Sequence, residues 1–427
     1  MRQYLFVGLA LLFSSFSFAR GEAVRSPVDP SSLEGKILYG YQGWFSAPGD
    51  GSPLGVGPDG HEPGGWYHYS ITRDTMKASD IKIEMWPDQS AYAPEELFAT
   101  ELHYADGSVA KLPSAGVSSV IDRHFSWMEE YGVDGIFLQR FLNGELALPR
   151  YFNFKEKQIR DVLASSLRHG RVFGIMYDLT GFDKPVLLED FKRDWMYLVD
   201  QLHILDNGRY IRDQGLPVVA LWGLGFSDPV VSAGEAMRVL NWLRHDAPPR
   251  YRATVMGGVP YYWRTLDGNA ASDPEWMKYF LSLSYLSPWS VGHWSTIANV
   301  KSEVATRARA DMELCQLSGV AYVPVLFPGF SWHQMVPNSK SNAVPRLGGQ
   351  FWWSQFTEFY NQGVRTFYGA MFDEVDEGTA MFKMAPSRAS VPVEGNWVTL
   401  DADGKSLPSD FYLRLAGDAQ KRVRGGR

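Results

Sequence analysis

The stretch Arg365-Thr366-Phe367-Tyr368-Gly369-Ala370-Met371-Phe372-Asp373-Glu374-Val375-Asp376-Glu377-Gly378-Thr379 decides how the chain is read. The run from Arg365 to Phe372 is largely apolar, and it ends abruptly in four acids within five residues. A strand covered on both faces shows no in–out alternation and turns polar only where it leaves the sheet. A buried parallel strand that carries carboxylates to the mouth of a barrel has this form.

The same pattern repeats upstream. Short apolar runs rich in β-formers occur at Lys36–Trp44, Val133–Gln139, Val172–Tyr177, Pro217–Trp222, Ala253–Val259, Leu286–Val291, Val320–Phe327 and Thr366–Phe372. Stretches with helical periodicity lie between or after them: Val117–Tyr131, Lys155–Leu167, Leu188–Leu205, Ala233–Leu243, Asp273–Leu283, Asn299–Leu317, Gly349–Gln362 and Ser409–Val423. The helix over Asp273–Leu283 opens on Asp-Pro-Glu, a good N-terminus. About eight strand–helix units predict an α/β fold, a (β/α)8 TIM barrel. The competing doubly wound sheet needs a Gly-rich phosphate turn after its first strand, and none follows Trp44.

The stretch of about 45–116, between the first strand and the first helix, is too long for an ordinary βα loop. Ala47 to Gly65 is rich in Gly, Pro and Asp. Ile81–Trp86 reads as an extra strand and Ala93–Pro113 as a small lobe. With no repeats and no low-complexity linker, residues 20–427 are expected to form one barrel domain with a long first insertion.

Composition sets the class of partner. Net charge is -7 over 427 residues, with no basic block, which argues against nucleic acid. Aromatic content is 14%, with 15 Trp and 21 Tyr. That suits pyranose rings packing on aromatic faces, and it suits a large core equally. Arg2, the apolar run Tyr4–Phe13 and Ser17-Phe18-Ala19 read as a secretory leader over residues 1–19. The run is too short for a comfortable membrane span, so the expectation is a periplasmic or secreted protein, monomeric and without a membrane anchor. Cys315 stands alone; it forms no internal disulfide and is expected to be a buried helix residue.

Active sites of barrels sit where strands end C-terminally. The residues expected there as substrate contacts are Tyr41, Gln42 and Trp44; Gln139 and Arg140; Asp178; Trp222; Tyr261; His293 and Trp294; Trp332 and His333; and Asp373 and Asp376 of the last run. Each has a structural alternative: wall aromatics, a buried ion pair for Arg140, a helix cap for Asp178. Neither histidine has metal-ligand spacing, and no metal or cofactor is expected. Glu374 and Glu377 are the expected catalytic pair. Crowded acids repel, which raises the pKa of some and suits a general acid. Two cooperating carboxyls at a strand end suit glycosidic bond cleavage.

The last run resembles the Phe-Asn-Glu-Trp-His-Glu-Gly-Thr signature of glycoside hydrolase family 99 and its looser family 71/99-like relatives. Tyr41-Gln42-Gly43-Trp44, Asp50-Gly51, Trp66-Tyr67-His68-Tyr69 and Phe327-Pro328-Gly329-Phe330 are similar to further family motifs, in order. The resemblance implies a retaining, endo-acting barrel enzyme for α-linked sugars, α-mannosides being the family's substrates. By the resemblance, Glu374 is the base toward the sugar 2-hydroxyl, giving a 1,2-anhydro sugar, and Glu377 is the acid/base. The residues alone do not separate this route from a covalent glycosyl-enzyme. Val375, Asp376 and Asp373 replace the family's Trp, His and Asn, so the sugar bound next to the scissile bond is open. The expectation is an exported retaining endo-α-glycosidase acting on a glycan or polysaccharide. A non-catalytic carbohydrate-binding barrel and a transferase-like relative are the alternatives.

Overall fold

The computed structural model describes residues 26–56, 65–182, 186–336 and 338–425. The expected leader, 1–19, and part of the Gly/Pro/Asp-rich loop lie outside the described residues.

The chain opens with β1 (Ile37–Tyr41), then a hairpin of β2 (Leu97–His103) and β3 (Val109–Pro113), then α1 (Ser118–Tyr131). Next come β4 (Gly135–Phe141), α2 (Pro149–His169), β5 (Val172–Asp178) and α3 (Leu187–Asp200). The short β6 (Arg212–Asp213) precedes β7 (Leu216–Trp222), α4 (Ala233–Asn241), β8 (Thr254–Val259), α5 (Glu275–Phe280) and β9 (Tyr285–Pro288). Then follow α6 (Ile297–Glu303), α7 (Arg309–Leu317), β10 (Ala321–Tyr322), β11 (Val325–Leu326), α8 (Gln350–Asn361), β12 (Phe367–Gly369) and α9 (Phe411–Gly425). The single helix expected over Asn299–Leu317 is α6 and α7 joined through a wider turn at Val304–Ala308. Just ahead of α5, the Asp273 carboxylate accepts from Glu275 N–H at 2.9 Å.

The parallel strands run β10-β9-β8-β7-β5-β4-β1-β12-β11. The seventh strand is in two pieces because Pro324 has no N–H to give. Its first piece pairs with β9 and its second with β12. Val323 N–H donates to the Leu286 carbonyl at 2.8 Å, and the Pro324 carbonyl accepts from Tyr368 N–H at 3.1 Å. The ring therefore closes: the fold is a (β/α)8 barrel. The strands β1 and β8 are buried at every residue, the physical counterpart of their unbroken apolar runs.

Two expectations change. Ile81–Trp86 is not a strand: only Ile81 bridges, to Ser70. The segment is instead a strap over the last loop, with Glu84 N–H and Met85 N–H both donating to the Val375 carbonyl at 2.9 and 3.2 Å. The last strand ends at Gly369, before the acids. The chain beyond it stays tied to the barrel through Ala370 N–H to Leu326 O and Phe372 N–H to Gly40 O, each at 2.8 Å.

Candidate active site

Parity along each strand decides what reaches the barrel axis. On β1, Gly40 faces inward: a Cβ there would meet the Tyr368 hydroxyl and the Met371 thioether. Its missing side chain is what lets those two groups fill the barrel mouth. Gln42 continues this inner face, and Tyr41 faces the other way, its hydroxyl 2.8 Å from His124 Nδ1 on α1. On β4, Gln139 faces inward and donates to the Tyr368 hydroxyl at 3.0 Å. Arg140 turns outward, where Nε and Nη2 bind Asp194 of α3 at 2.6 and 2.5 Å. Tyr41 and Arg140 are thus packing and ion-pair residues rather than substrate contacts.

A cleft of about 200 Å³ opens at this end of the barrel, lined by Gln42, Trp44, Gln139, Phe141, Met176, Asp178, Thr180, Trp222, Trp289, Tyr368, Met371, Glu374 and Glu377. Both glutamates of the acid run lie on it. Trp222 and Trp289 meet edge to face at 5.2 Å and give one aromatic wall. Trp44 gives another, stacked on His68 at 3.5 Å. Asp178 accepts from Thr180 N–H at 2.8 Å, and burial lifts its carboxyl to about 6.

The other two acids brace the loop. Asp373 is buried and accepts from Gln42 N–H at 2.8 Å and Gly43 N–H at 2.7 Å. Gly43 has φ +56°, and a Cβ there would strike the Gln158 amide, so the turn that presents these two N–H groups needs glycine. Asp376 is buried, with Oδ2 2.9 Å from His68 Nδ1. Neither aspartate lines the cleft, which corrects their expected role as substrate contacts: Asp373 is held by two backbone N–H groups and Asp376 Oδ2 by His68.

The remaining expected contacts lie outside the cleft lining. The Tyr261 hydroxyl donates to Glu303 at 2.6 Å, and its ring stacks on His293 at 4.3 Å. Asn269 lies 3.3 Å from His293 Nε2. Trp294 is buried against Phe359 of α8. Trp332 is 40% exposed beside Phe330. His333 Nδ1 meets the Ser339 carbonyl at 2.6 Å. These side chains come from loops beyond the strands, where strand periodicity says nothing about direction.

The two glutamates have different surroundings. Glu374 Oε1 accepts from Gln42 Nε2 at 2.9 Å and Oε2 from Thr379 Oγ1 at 2.9 Å. No hydrogen bond to the Glu377 carboxyl is found among the described residues. Burial foremost, then the charges of Glu377 and Asp376, push Glu374 well above the usual carboxylate range. Burial and then Asp376 lift Glu377 to about 7, with Lys82 opposing. The Glu377 charge raises Glu374, so the two carboxyls resist ionising together. Gln42 and Thr379 favour the Glu374 anion, but burial and the Glu377 charge outweigh them.

Several residues of the site carried no signal in the sequence. Met176, Tyr368 and Met371 read as core, and Phe141 lay just past the expected strand. Trp289, by contrast, is one of the aromatics that the sequence places at the end of the sixth strand, and it does line the cleft. Lys155 is buried on α2, its Nζ donating to the Gln42 carbonyl at 3.2 Å. Burial holds it down to about 7. Among the described residues no cluster of three or more His, Cys, Asp or Glu is placed to hold a metal ion. No described helix is long and apolar enough to cross a membrane.

No protein-family profile matches the chain, and no curated protein matches it. Solved structures do. The GH99 endo-alpha-mannosidase from Bacteroides thetaiotaomicron superposes with a TM-score of 0.64, covering 93% of this chain and 99% of that one at 13% identity. The fold is similar to that of a family 99 endo-α-mannosidase. The same enzyme in complex with bis-tris-propane gives a TM-score of 0.63 over the same shares of the chains. A glycoside hydrolase-like protein gives 0.53 at 13% identity, covering 79% of this chain and 94% of that one. At this identity the likeness is one of fold, over most of the chain.

Proposed function

We propose that the protein is an exported, retaining endo-α-glycosidase, similar to the endo-α-mannosidases, acting on an α-linked glycan. One observation carries the reading: Glu374 and Glu377 open into a single aromatic-walled cleft at the C-terminal end of the barrel, in unlike surroundings. The expected leader at residues 1–19 supports export.

The roles are those that the resemblance of the last run implies. The Glu374 carboxylate takes the proton of the sugar 2-hydroxyl as that oxygen attacks the anomeric carbon. The glycosidic C–O bond breaks, and the leaving oxygen takes the proton of Glu377. A 1,2-anhydro sugar results. Water, deprotonated by Glu377, then opens that ring at the anomeric carbon, and the 2-oxygen recovers its proton from Glu374. Two inversions give retention. The wall formed by Trp222 and Trp289 packs the C–H faces of the sugar.

The test is a panel of α-linked oligosaccharides with proton NMR of the first anomer released. Retention by the wild type is expected, with loss of turnover and preserved binding in Glu377→Gln. Binding without release from any member, by wild type as by variant, would leave a carbohydrate-binding barrel instead.

A further inference from the structure

The insertion after β1 places a basic group against the acid run. His68 sits beside Asp376 and against Trp44. Lys82 Nζ lies 3.1 Å from His68 Nδ1 and 3.7 Å from Asp376 Oδ2. Side-chain exposure is 16% for His68, 3% for Asp376 and 22% for Lys82. His68 also holds a left-handed backbone, φ 62°, uncommon outside glycine and kept only where surroundings fix it.

We propose that His68, Lys82 and Asp376 form a positioning triad through which the insertion sets the charge beside Glu377. The proposal rests on Glu377 being the acid/base of the reading above.

The geometry defines each member. Asp376 adjoins Glu377 in the chain, and its charge is the first of those that act on it. Lys82 opposes that anion from the strap. The groups that act on Glu377 are Asp376 and Lys82, with Glu374 across the cleft. Those that act on His68 are Lys82, Asp376 and Arg73, whose guanidinium is turned toward Glu145 at 3.6 Å. Glu84 also feels Asp376, but its own carboxylate is taken by Ser331 Oγ at 2.6 Å and Gln334 N–H at 2.5 Å. Burial first, then Lys82, hold the imidazole down at about 4, so it is neutral at physiological pH. An ionised Asp376 only accepts, so the neutral ring meets it with its proton on Nδ1, and Lys82, which then faces a donor, acts on the pair by its charge alone. Burial opposes the Asp376 anion, but the His68 hydrogen bond and Lys82 outweigh it and leave Asp376 below its usual range.

Opposite shifts follow from opposite deletions. Lys82→Met leaves Asp376 uncompensated and raises the Glu377 midpoint. Asp376→Asn leaves Lys82 uncompensated and lowers it. His68→Phe keeps a ring against Trp44 but removes the hydrogen bond, which raises the Asp376 midpoint.

The experiment is carbon-13 NMR titration of the full exported chain labelled at Glu and Asp carboxyls. Glu377→Gln and Asp376→Asn assign the two resonances. The expected order of Glu377 midpoints is Lys82→Met above wild type above Asp376→Asn. Identical midpoints in the three proteins would overturn the triad, as would an Asp376 midpoint unmoved by His68→Phe. Lys82 is partly exposed, so its variant keeps the test available where Asp376→Asn fails to fold. No substrate is needed: a protein that titrates in this order yet cleaves nothing refutes the glycosidase reading and leaves the triad standing.

Discussion

The Gln42 side-chain amide donates to Glu374 Oε1 at 2.9 Å, across a sequence separation of 332 residues. The same residue is held at its backbone. Its N–H is bound by Asp373, and its carbonyl accepts from Lys155 Nζ at 3.2 Å and Gln158 Nε2 at 3.0 Å. The donor that favours the Glu374 anion is thereby fixed before any ligand arrives, which is how a preorganised charge site works.

Gln42→Leu removes that donor while leaving all three backbone contacts. A hydrogen bond to a charged group contributes about 1.5–3 kcal/mol, so kcat/KM should fall roughly 10–100-fold. The hydrogen bond lowers the Glu374 pKa. Without it the base is protonated at higher pH, and the acidic limb of the pH–rate profile moves upward. A pH profile of Gln42→Leu against wild type checks both, and an unmoved acidic limb would contradict this role.

Asp373 is a structural acid, and its variants should divide accordingly. Alanine leaves the buried N–H groups of Gln42 and Gly43 without their acceptor, at a cost of about 2–4 kcal/mol. Asparagine keeps one acceptor oxygen and should cost less, about 1 kcal/mol. Urea denaturation of the two variants measures the difference. Equal losses would mean that something other than these two N–H groups is at stake.

Much of this arrangement was legible in the chain, and the misreadings share a cause. The strands were visible because a sheet covered on both faces needs an unbroken apolar run, and Val172–Tyr177 and Pro217–Trp222 are such runs. Parity at their ends was not. Tyr41 and Gln42 are neighbours, as are Gln139 and Arg140, yet one of each pair enters the cleft and the other packs against a helix. A run that is apolar on both faces does not say which face is the barrel axis. His68 was marked only through the family-like motif Trp66-Tyr67-His68-Tyr69 and Lys82 not at all, because both arrive on an insertion whose contacts have no period. Tyr261, His293 and Trp294 illustrate the converse. Aromatic residues beyond strand ends can simply pack on each other and on α8.

Glu377 gives a stability prediction with a definite sign. Its folded pKa, about 7, lies above the usual carboxylate value. Such a group adds stability fully below its unfolded pKa, and that contribution is lost as pH rises through the folded value. Glu377→Gln should therefore melt higher than wild type at pH 8, by on the order of 1–3 kcal/mol at this partly solvated site. The gap should close as pH falls toward about 4. Calorimetry at both pH values measures it. A variant less stable than wild type at pH 8 would show that the carboxylate is compensated there.

The tryptophan wall should act on binding. Trp222→Ala removes one face of the edge-to-face pair with Trp289. Stacking of this kind with the buried area it brings is worth about 1–3 kcal/mol, so KM should rise roughly 10–100-fold. If the wall contacts ground state and transition state alike, kcat changes little. Steady-state kinetics on the preferred oligosaccharide separates the two. A fall in kcat at constant KM would place the indole at the reacting bond rather than beside it.

Arg140 supplies the contrasting case, a charged residue at a strand end that has no part in binding. It is buried on the outer side of β4, and its ion pair with Asp194 is shared with the Tyr177 hydroxyl, which donates to Asp194 Oδ2 at 2.7 Å. Removing one member of a buried pair strands the other charge, so Arg140→Leu and Asp194→Leu should each destabilise by about 3–5 kcal/mol. Changing both together to leucine removes the stranded charge and should recover part of that loss. Throughout the series KM should stay within about twofold of wild type, because neither side chain faces the cleft. Denaturation and kinetics on the same four proteins test the claim. A KM that rises with Arg140→Leu in a protein still fully folded would return this arginine to the binding site.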